Sequence, residues 1–149
     1  MIKGLSMFSN VGIAETYLKE IGIDIIIANE LDSNRANLYK ELYGKTKMIQ
    51  GDIRDKIDEI IEISLKNKVQ FLIATPPCQG FSIAGRRDYT DDRNDLIHYV
   101  LKAIDKINPE YVVIENVQNF LKHSITYGKY KGSIISVIKR KFSNKYNIE

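Results

Sequence analysis

The sequence predicts a doubly wound α/β domain on a mostly parallel sheet, and three observations predict it. Short apolar runs alternate with amphipathic helical patterns along the chain. The runs are apolar throughout rather than alternating in polarity, as strands covered on both faces are. Their centres fall roughly 20–25 residues apart over the first half, the length of a βαβ unit. The chain has 149 residues, 44% of them hydrophobic and 28% charged, which suits one domain with a single core.

Each element has its own signal. The runs Leu5–Phe8, Ile23–Ala28, Phe71–Thr75 and Tyr111–Ile114 are bounded by Gly, Pro, Asn or Asp and read as buried strands. Thr46–Ile49 is weaker and reads as a short edge strand. Between the first two strands, Ala14, Leu18 and Ile21 share one helical face. Asp32 or Ser33 suits the N-cap of the next helix, on which Leu38 and Leu42 share a face. Ile57, Ile60, Ile61 and Leu65 mark the following helix, and Leu101, Ile104 and Ile107 mark one that Pro109 ends. The last helical pattern joins Ile134, Ile135, Val137, Ile138 and Phe142. A sixth strand is expected after it and is absent, so the sheet is expected to be incomplete on its C-terminal side. Pro76–Asn94 fits neither pattern; it is polar, carries Gly80, Gly85, Arg86, Arg87 and Arg93, and reads as a functional loop.

Composition excludes several classes. No apolar run approaches the roughly 20 residues that span a bilayer, and MIKGLSMF does not read as a signal peptide. Cys78 is the single cysteine, which rules out an intramolecular disulfide and a multi-cysteine metal cluster. A cytoplasmic chain with no membrane partner and no metal is expected. The net charge is +3, unevenly spread: Val117–Glu149 holds seven basic residues against one acid, and residues 1–116 carry −3. That basic third suits either a polyanion or a solvated helix face.

Ligands of an open parallel sheet sit beyond the carboxyl ends of its strands, and five features fall there. Phe8-Ser9-Asn10-Val11-Gly12 is either an ordinary βα turn or one that offers backbone N–H groups to a ligand. Glu30, about 20 residues on, either accepts from ribose hydroxyls or caps the next helix, as Asp32 also could. Asp52, after Gly51, either binds the amino group of a base or caps the helix behind it. Cys78 follows Thr75-Pro76-Pro77, whose prolines hold the approach to the sulfur extended. A cysteine is more often a small core residue, but this one sits at a polar loop mouth, where neighbouring arginines would raise its thiolate fraction. Glu115 ends an apolar strand, where lost solvation would favour the neutral acid that donates to a ring nitrogen; the alternative is a carboxylate bonded to the next helix.

Pro76-Pro77-Cys78-Gln79-Gly80-Phe81-Ser82 and Glu115-Asn116-Val117, whose Cys and Glu lie 37 positions apart, resemble the PCQ and ENV motifs of the DNA cytosine-5 methyltransferases. The resemblance runs from Phe8 to about Phe120. It implies a Rossmann-like fold dependent on S-adenosyl-L-methionine, with Cys78 the nucleophile that adds to C6 of a flipped-out cytosine and Glu115 the group that contacts N3. It further implies Phe8, Ser9, Asn10, Val11, Gly12, Glu30, Leu31, Asp52, Ile53, Pro77 and Leu96 as cofactor-binding positions. Glu30 would hold the ribose, Asp52 the adenine amino group, and Phe8 would stack near the adenine. Gln79, Ser82, Arg93 and Asn116 match positions that face the nucleic acid.

The resemblance is partial. Where the family pattern reads F-x-G-x-G-G, this chain has Asn10 and Ile13 in place of glycines. Asn10 tolerates positive φ, whereas Ile13 puts a branched Cβ where glycine allows close approach. Residues 1–149 correspond to a single, partial catalytic and cofactor-binding domain without a target-recognition domain. The implied partners are DNA and either a complementary C-terminal subunit or a second copy, because the truncated sheet would expose apolar edge and face. An inactive cofactor-binding or interaction module and an RNA cytosine-5 methyltransferase are the alternatives. An amino-methyltransferase is disfavoured, since Cys78 stands where that chemistry needs an aromatic ring.

Overall fold

The computed structural model describes residues 1–77 and 96–149, which form two compact units: residues 1–77 with 96–115, and residues 116–149. In the first unit five parallel strands, β1 (Ile2–Met7), β2 (Ile23–Glu30), β3 (Lys47–Gln50), β4 (Phe71–Ala74) and β5 (Tyr111–Ile114), lie in the order β3-β2-β1-β4-β5. Helices α1 (Ser33–Leu42), α2 (Ile53–Asn67) and α3 (Leu96–Ile107) make the crossovers. Strand order reverses between β1 and β4, so the switch point of the sheet lies at their carboxyl ends. The expected parallel α/β sheet is the one observed.

Local chemistry sets the helix boundaries. Asp32 caps α1 by accepting the Arg35 N–H at 2.9 Å, and Asp52 caps α2 by accepting the Arg54 N–H at 2.9 Å. Asn108, at φ 53°, and Pro109 stop α3. The core holds Leu5, Met7, Ile27 and Leu72 of the central strands, Ile57 and Ile60 of α2, and Ile97, Val100 and Leu101 of α3. Lys102 of α3 meets Asp58 of α2 at 2.7 Å, but the pair is largely exposed and adds little beside the apolar burial.

Three expectations are corrected. Ala14, Leu18 and Ile21 do not lie on an α-helix: residues 13–15 and 18–21 form two 3-10 turns between the left-handed glycines 12 and 22. So short a segment cannot sustain an isolated α-helix. Of the three, Leu18 packs beside the Ile25, Phe71 and Ile73 cluster, and Ile21 is exposed. Leu38 and Leu42 face solvent, while α1 buries Ala36 and Tyr39, because the inward position goes to a large ring whose hydroxyl finds a partner. The third concerns β5, which is an edge strand rather than one covered on both faces. Tyr111 and Val113 project from one side of its pleat at 54% and 44% exposure.

The second unit contains a 3-10 turn at residues 118–122, an antiparallel hairpin of β6 (Ser124–Tyr127) and β7 (Tyr130–Ser133), and helix α4 (Ile134–Phe142). Gly128, at φ 56°, begins the two-residue loop that closes the hairpin. Phe120, Ile125, Ile134, Val137 and Phe142 are its buried residues. None of the described helices is long and apolar enough to cross a membrane.

Truncating buried Leu101 to Ala is expected to lower unfolding free energy by about 2–5 kcal/mol. The same change at exposed Leu42 should stay within about 0.5 kcal/mol. Paired denaturant titrations check both, and equal losses would place Leu42 in the core after all.

Candidate functional site

The candidate site is built where four strand ends of the first unit come together. β1 ends at Met7, and the chain turns at once through Phe8 at φ 60°, Asn10 at φ 53° and Gly12 at φ 84°. Left-handed conformations at two non-glycine residues cost about 1–2 kcal/mol each, so the turn must be held from outside. From β4, Thr75 Oγ1 donates to the Phe8 carbonyl at 2.9 Å. From β2, the Asn29 carbonyl accepts the Ser9 N–H at 2.9 Å and the Ser9 hydroxyl at 3.2 Å. Gly12 is enclosed, and a Cβ there would lie 2.3 Å from Tyr43 Cε2.

Glu30 holds the turn from the other side. Its Oε2 accepts the Asn10 N–H at 2.8 Å and its Oε1 accepts the Asp32 N–H at 2.9 Å. The residue is 6% exposed, so these two charge-assisted bonds compensate most of its lost hydration. Each oxygen keeps a second lone pair that accepts no hydrogen bond from the described residues. Helix capping thus falls to Asp32, and Glu30 fixes the loops on either side of it. Asn29 Nδ2 donates to the carbonyls of Ile49 and Gly51 at 2.9 and 3.1 Å, and so ties the end of β3 to the same edge.

Of the residues singled out in the sequence, Phe8–Gly12, Glu30, Leu31, Asp52, Ile53, Pro77 and Glu115 all follow strands of one parallel sheet. They therefore lie along one edge of it. Leu96 opens α3, which returns from that edge toward β5. Leu31 is exposed, and buried Ile53 begins α2. Asp52 caps α2 with Oδ1, and its Oδ2 lies 3.7 Å from Arg54. Asn116 belongs to the second unit, where its Oδ1 accepts the Val117 N–H at 2.9 Å. Cys78, Gln79, Ser82 and Arg93 lie outside the described residues. The Glu115 N–H continues the ladder to the Ala74 carbonyl at 3.0 Å, but its side chain is exposed. The expected desolvation is absent because β5 is an edge strand.

Sequence reading missed Asn29, Thr75 and a buried cluster behind the turn. Asn29 was legible in principle as the amide in an otherwise apolar strand. In the cluster, Glu15 is 4% exposed, and its Oε2 accepts a short hydrogen bond from the fully buried Tyr39 hydroxyl. Glu15 Oε1 has no partner among the described residues. Burial raises the Glu15 pKa above its ordinary value, and the Ser6 and Tyr39 hydroxyls only partly offset this. Burial, then the adjacent carboxylate, raises Tyr39 as well. Among the described residues no group of three His, Cys, Asp or Glu side chains is placed to hold a metal ion.

Comparison with known proteins shows the family of the chain. The family model for C-5 cytosine-specific DNA methylases matches residues 2–148, and the chain belongs to that family. It is 46% identical, over 99% of its length, to the type II methyltransferase M1.HgaI of Avibacterium volantium, and 27% identical over 97% to M.XorII of Xanthomonas oryzae. It spans 43% and 34% of those relatives. A mutant of Spodoptera frugiperda DNMT2 superposes with a TM-score of 0.62 at 27% identity, over 80% of this chain and 37% of that one.

The raised Glu15 pKa predicts a pH signature. An acid harder to ionise folded than unfolded makes the native state the stronger proton binder. Its contribution to stability is therefore fullest below the ordinary value of 4.5 and declines as pH rises through the folded-state pKa. Stability of the wild type relative to Glu15→Gln should fall across that window in urea titrations. A relative rise would show that the pair is stabilised as a carboxylate.

Proposed function

We propose that this chain is the cofactor-binding and cysteine-bearing part of a methyltransferase acting at C5 of cytosine in DNA. The observation that carries the reading is the convergence of the left-handed Phe8–Gly12 turn, the two-point-bonded Glu30 and Asp52 on the sheet edge that Pro77 and Glu115 also follow. S-adenosyl-L-methionine bound there would supply the methyl group. The residues present suit it: buried Glu30 has free lone pairs for the ribose hydroxyls, and the half-exposed Asp52 carboxylate can accept from the adenine amino group. Phe8 would stack near the adenine, and Ser9, Asn10, Val11, Gly12, Leu31, Ile53, Pro77 and Leu96 would supply the other cofactor contacts.

A cytosine withdrawn from the stack presents C6 to the Cys78 thiolate. As the S–C6 bond forms, electrons of the C5–C6 double bond shift toward C5 and N3, and Glu115 donates a hydrogen bond at N3 to offset that charge. C5 would then take the methyl group from the sulfonium, which leaves as a neutral thioether; the C5 proton would pass to a water molecule, its electron pair re-forming the C5–C6 double bond as the C6–S bond breaks and returns the thiolate. Gln79, Ser82, Arg93 and Asn116 would engage the nucleic acid nearby.

A hydrogen bond from Glu115 to N3 is strongest where water is excluded, and in this chain its side chain is exposed. Completion of the site is therefore assigned to the flipped base together with a complementary C-terminal polypeptide seated along β5. Tyr111 and Val113 present apolar surface there, and the chain spans less than half of its relatives.

The test is covalent trapping on 5-fluorocytosine DNA with labelled cofactor. It would be run on the chain alone and with the C-terminal part of the 46%-identical relative. An adduct in the mixture that Cys78→Ser abolishes is the expected result. Cofactor binding with no adduct in either arm would instead favour a cofactor-binding module without catalysis. Glu30→Ala should weaken S-adenosylhomocysteine by at least ~10-fold in calorimetric titration, since it removes the acceptors of a ligand diol and the tether of Asn10 together. Unchanged affinity would remove Glu30 from the site.

A further inference from the structure

Next to the Phe8–Gly12 turn lies a cluster that the proposed chemistry does not use. Tyr39 of α1 and Tyr43, its C-cap, stand four residues apart, with ring centroids 4.7 Å apart. The Tyr43 hydroxyl donates to the Gly12 carbonyl at 2.7 Å, and the Tyr39 hydroxyl donates to Glu15. Glu15 ends the three-residue 3-10 turn that follows Gly12, and its own N–H returns to the Gly12 carbonyl at 3.1 Å. Such a segment has no stability of its own. A buried carboxyl whose lost hydration the Ser6 and Tyr39 hydroxyls only partly offset, and whose Oε1 has no partner among the described residues, also opposes folding, so an apolar side chain of similar size would pack there at lower cost.

The other end of α1 completes the arrangement. Asp32 caps the helix, and its N–H is held by Glu30, whose second oxygen holds Asn10. One rigid helix therefore touches the turn twice, at Asn10 through Glu30 and at Gly12–Glu15 through the two tyrosines.

We propose that Glu15 is a positioning residue: through Tyr39 it locks the Gly12 turn to α1, and so fixes the turn's backbone relative to Glu30 for the cofactor. This rests on the reading of that turn as a cofactor site, and it predicts a requirement for an acceptor oxygen at position 15, not for charge.

Two measurements on the full chain test it. In S-adenosylhomocysteine titration, Glu15→Leu and Tyr39→Phe should each weaken binding by ~10-fold or more, while Glu15→Gln, which keeps the acceptor, stays within ~3-fold of wild type. Amide exchange at Asn10, Gly12 and Ile13 should speed up in Glu15→Leu and Tyr39→Phe but not in Glu15→Gln, with protection of the β1 and β4 amides unchanged. Because exchange needs no ligand, it reads the lock even if the wild type binds no cofactor, a result that would overturn the cofactor reading alone. Wild-type exchange and affinity in folded Tyr39→Phe, or a Glu15→Gln variant as impaired as Glu15→Leu, would overturn the positioning role.

Discussion

Two adjacent polar residues at the end of one buried strand organise this molecule. Asn29 and Glu30 lie where a parallel sheet should offer only apolar side chains, and both are buried. Between them they make seven hydrogen bonds, one to the Ile49 carbonyl near the end of β3 and six to the segments that follow β1, β2 and β3. Those six satisfy backbone groups, or the Ser9 hydroxyl, where the chain leaves the strands. Three chain segments are thereby brought into register at a point where hydrophobic packing, being non-directional, could not fix them. The left-handed residues of the first turn persist because these bonds over-determine the backbone there.

The parallel sheet was legible because its strands carry short unbroken apolar runs such as Ile25–Ala28 and Phe71–Ala74, and α2 and α3 because their apolar residues recur at helical spacing. Failures came where tertiary context overrode local pattern. Leu38 and Leu42 carry the stronger apolar signal on α1, yet Tyr39 takes the buried position, since only it can satisfy a hydroxyl against Glu15. The segment after Gly12 has helical spacing but not the length to form a helix. The hairpin of the second unit is marked by Tyr127-Gly128-Lys129-Tyr130, a glycine loop between aromatics, a weaker signal than the helical spacing of α4 behind it.

For the candidate site, the positions of Glu30, Asp52, Pro77 and Glu115 followed from strand ends alone, because a parallel sheet delivers every strand's exit to one edge. Their environments did not follow. Whether a carboxyl at a strand end is buried depends on the strand's place in the sheet order, and sequence spacing carries no such information. Glu30 leaves an interior strand and is buried; Glu115 leaves an edge strand and is exposed.

The crowding around Gly12 reverses what the letters of the first motif suggest about tolerance to mutation. Ile13 replaces a glycine of the family pattern, yet it is 75% exposed and sits on a 3-10 turn with its side chain in solvent. Position 12 combines left-handed backbone with two aromatic rings against its Cα. Any single-codon change there would bring a side chain that fits neither constraint, while position 13 accepts bulk. Natural variation in this loop should accordingly drift at the second residue of the pair and stay frozen at the first.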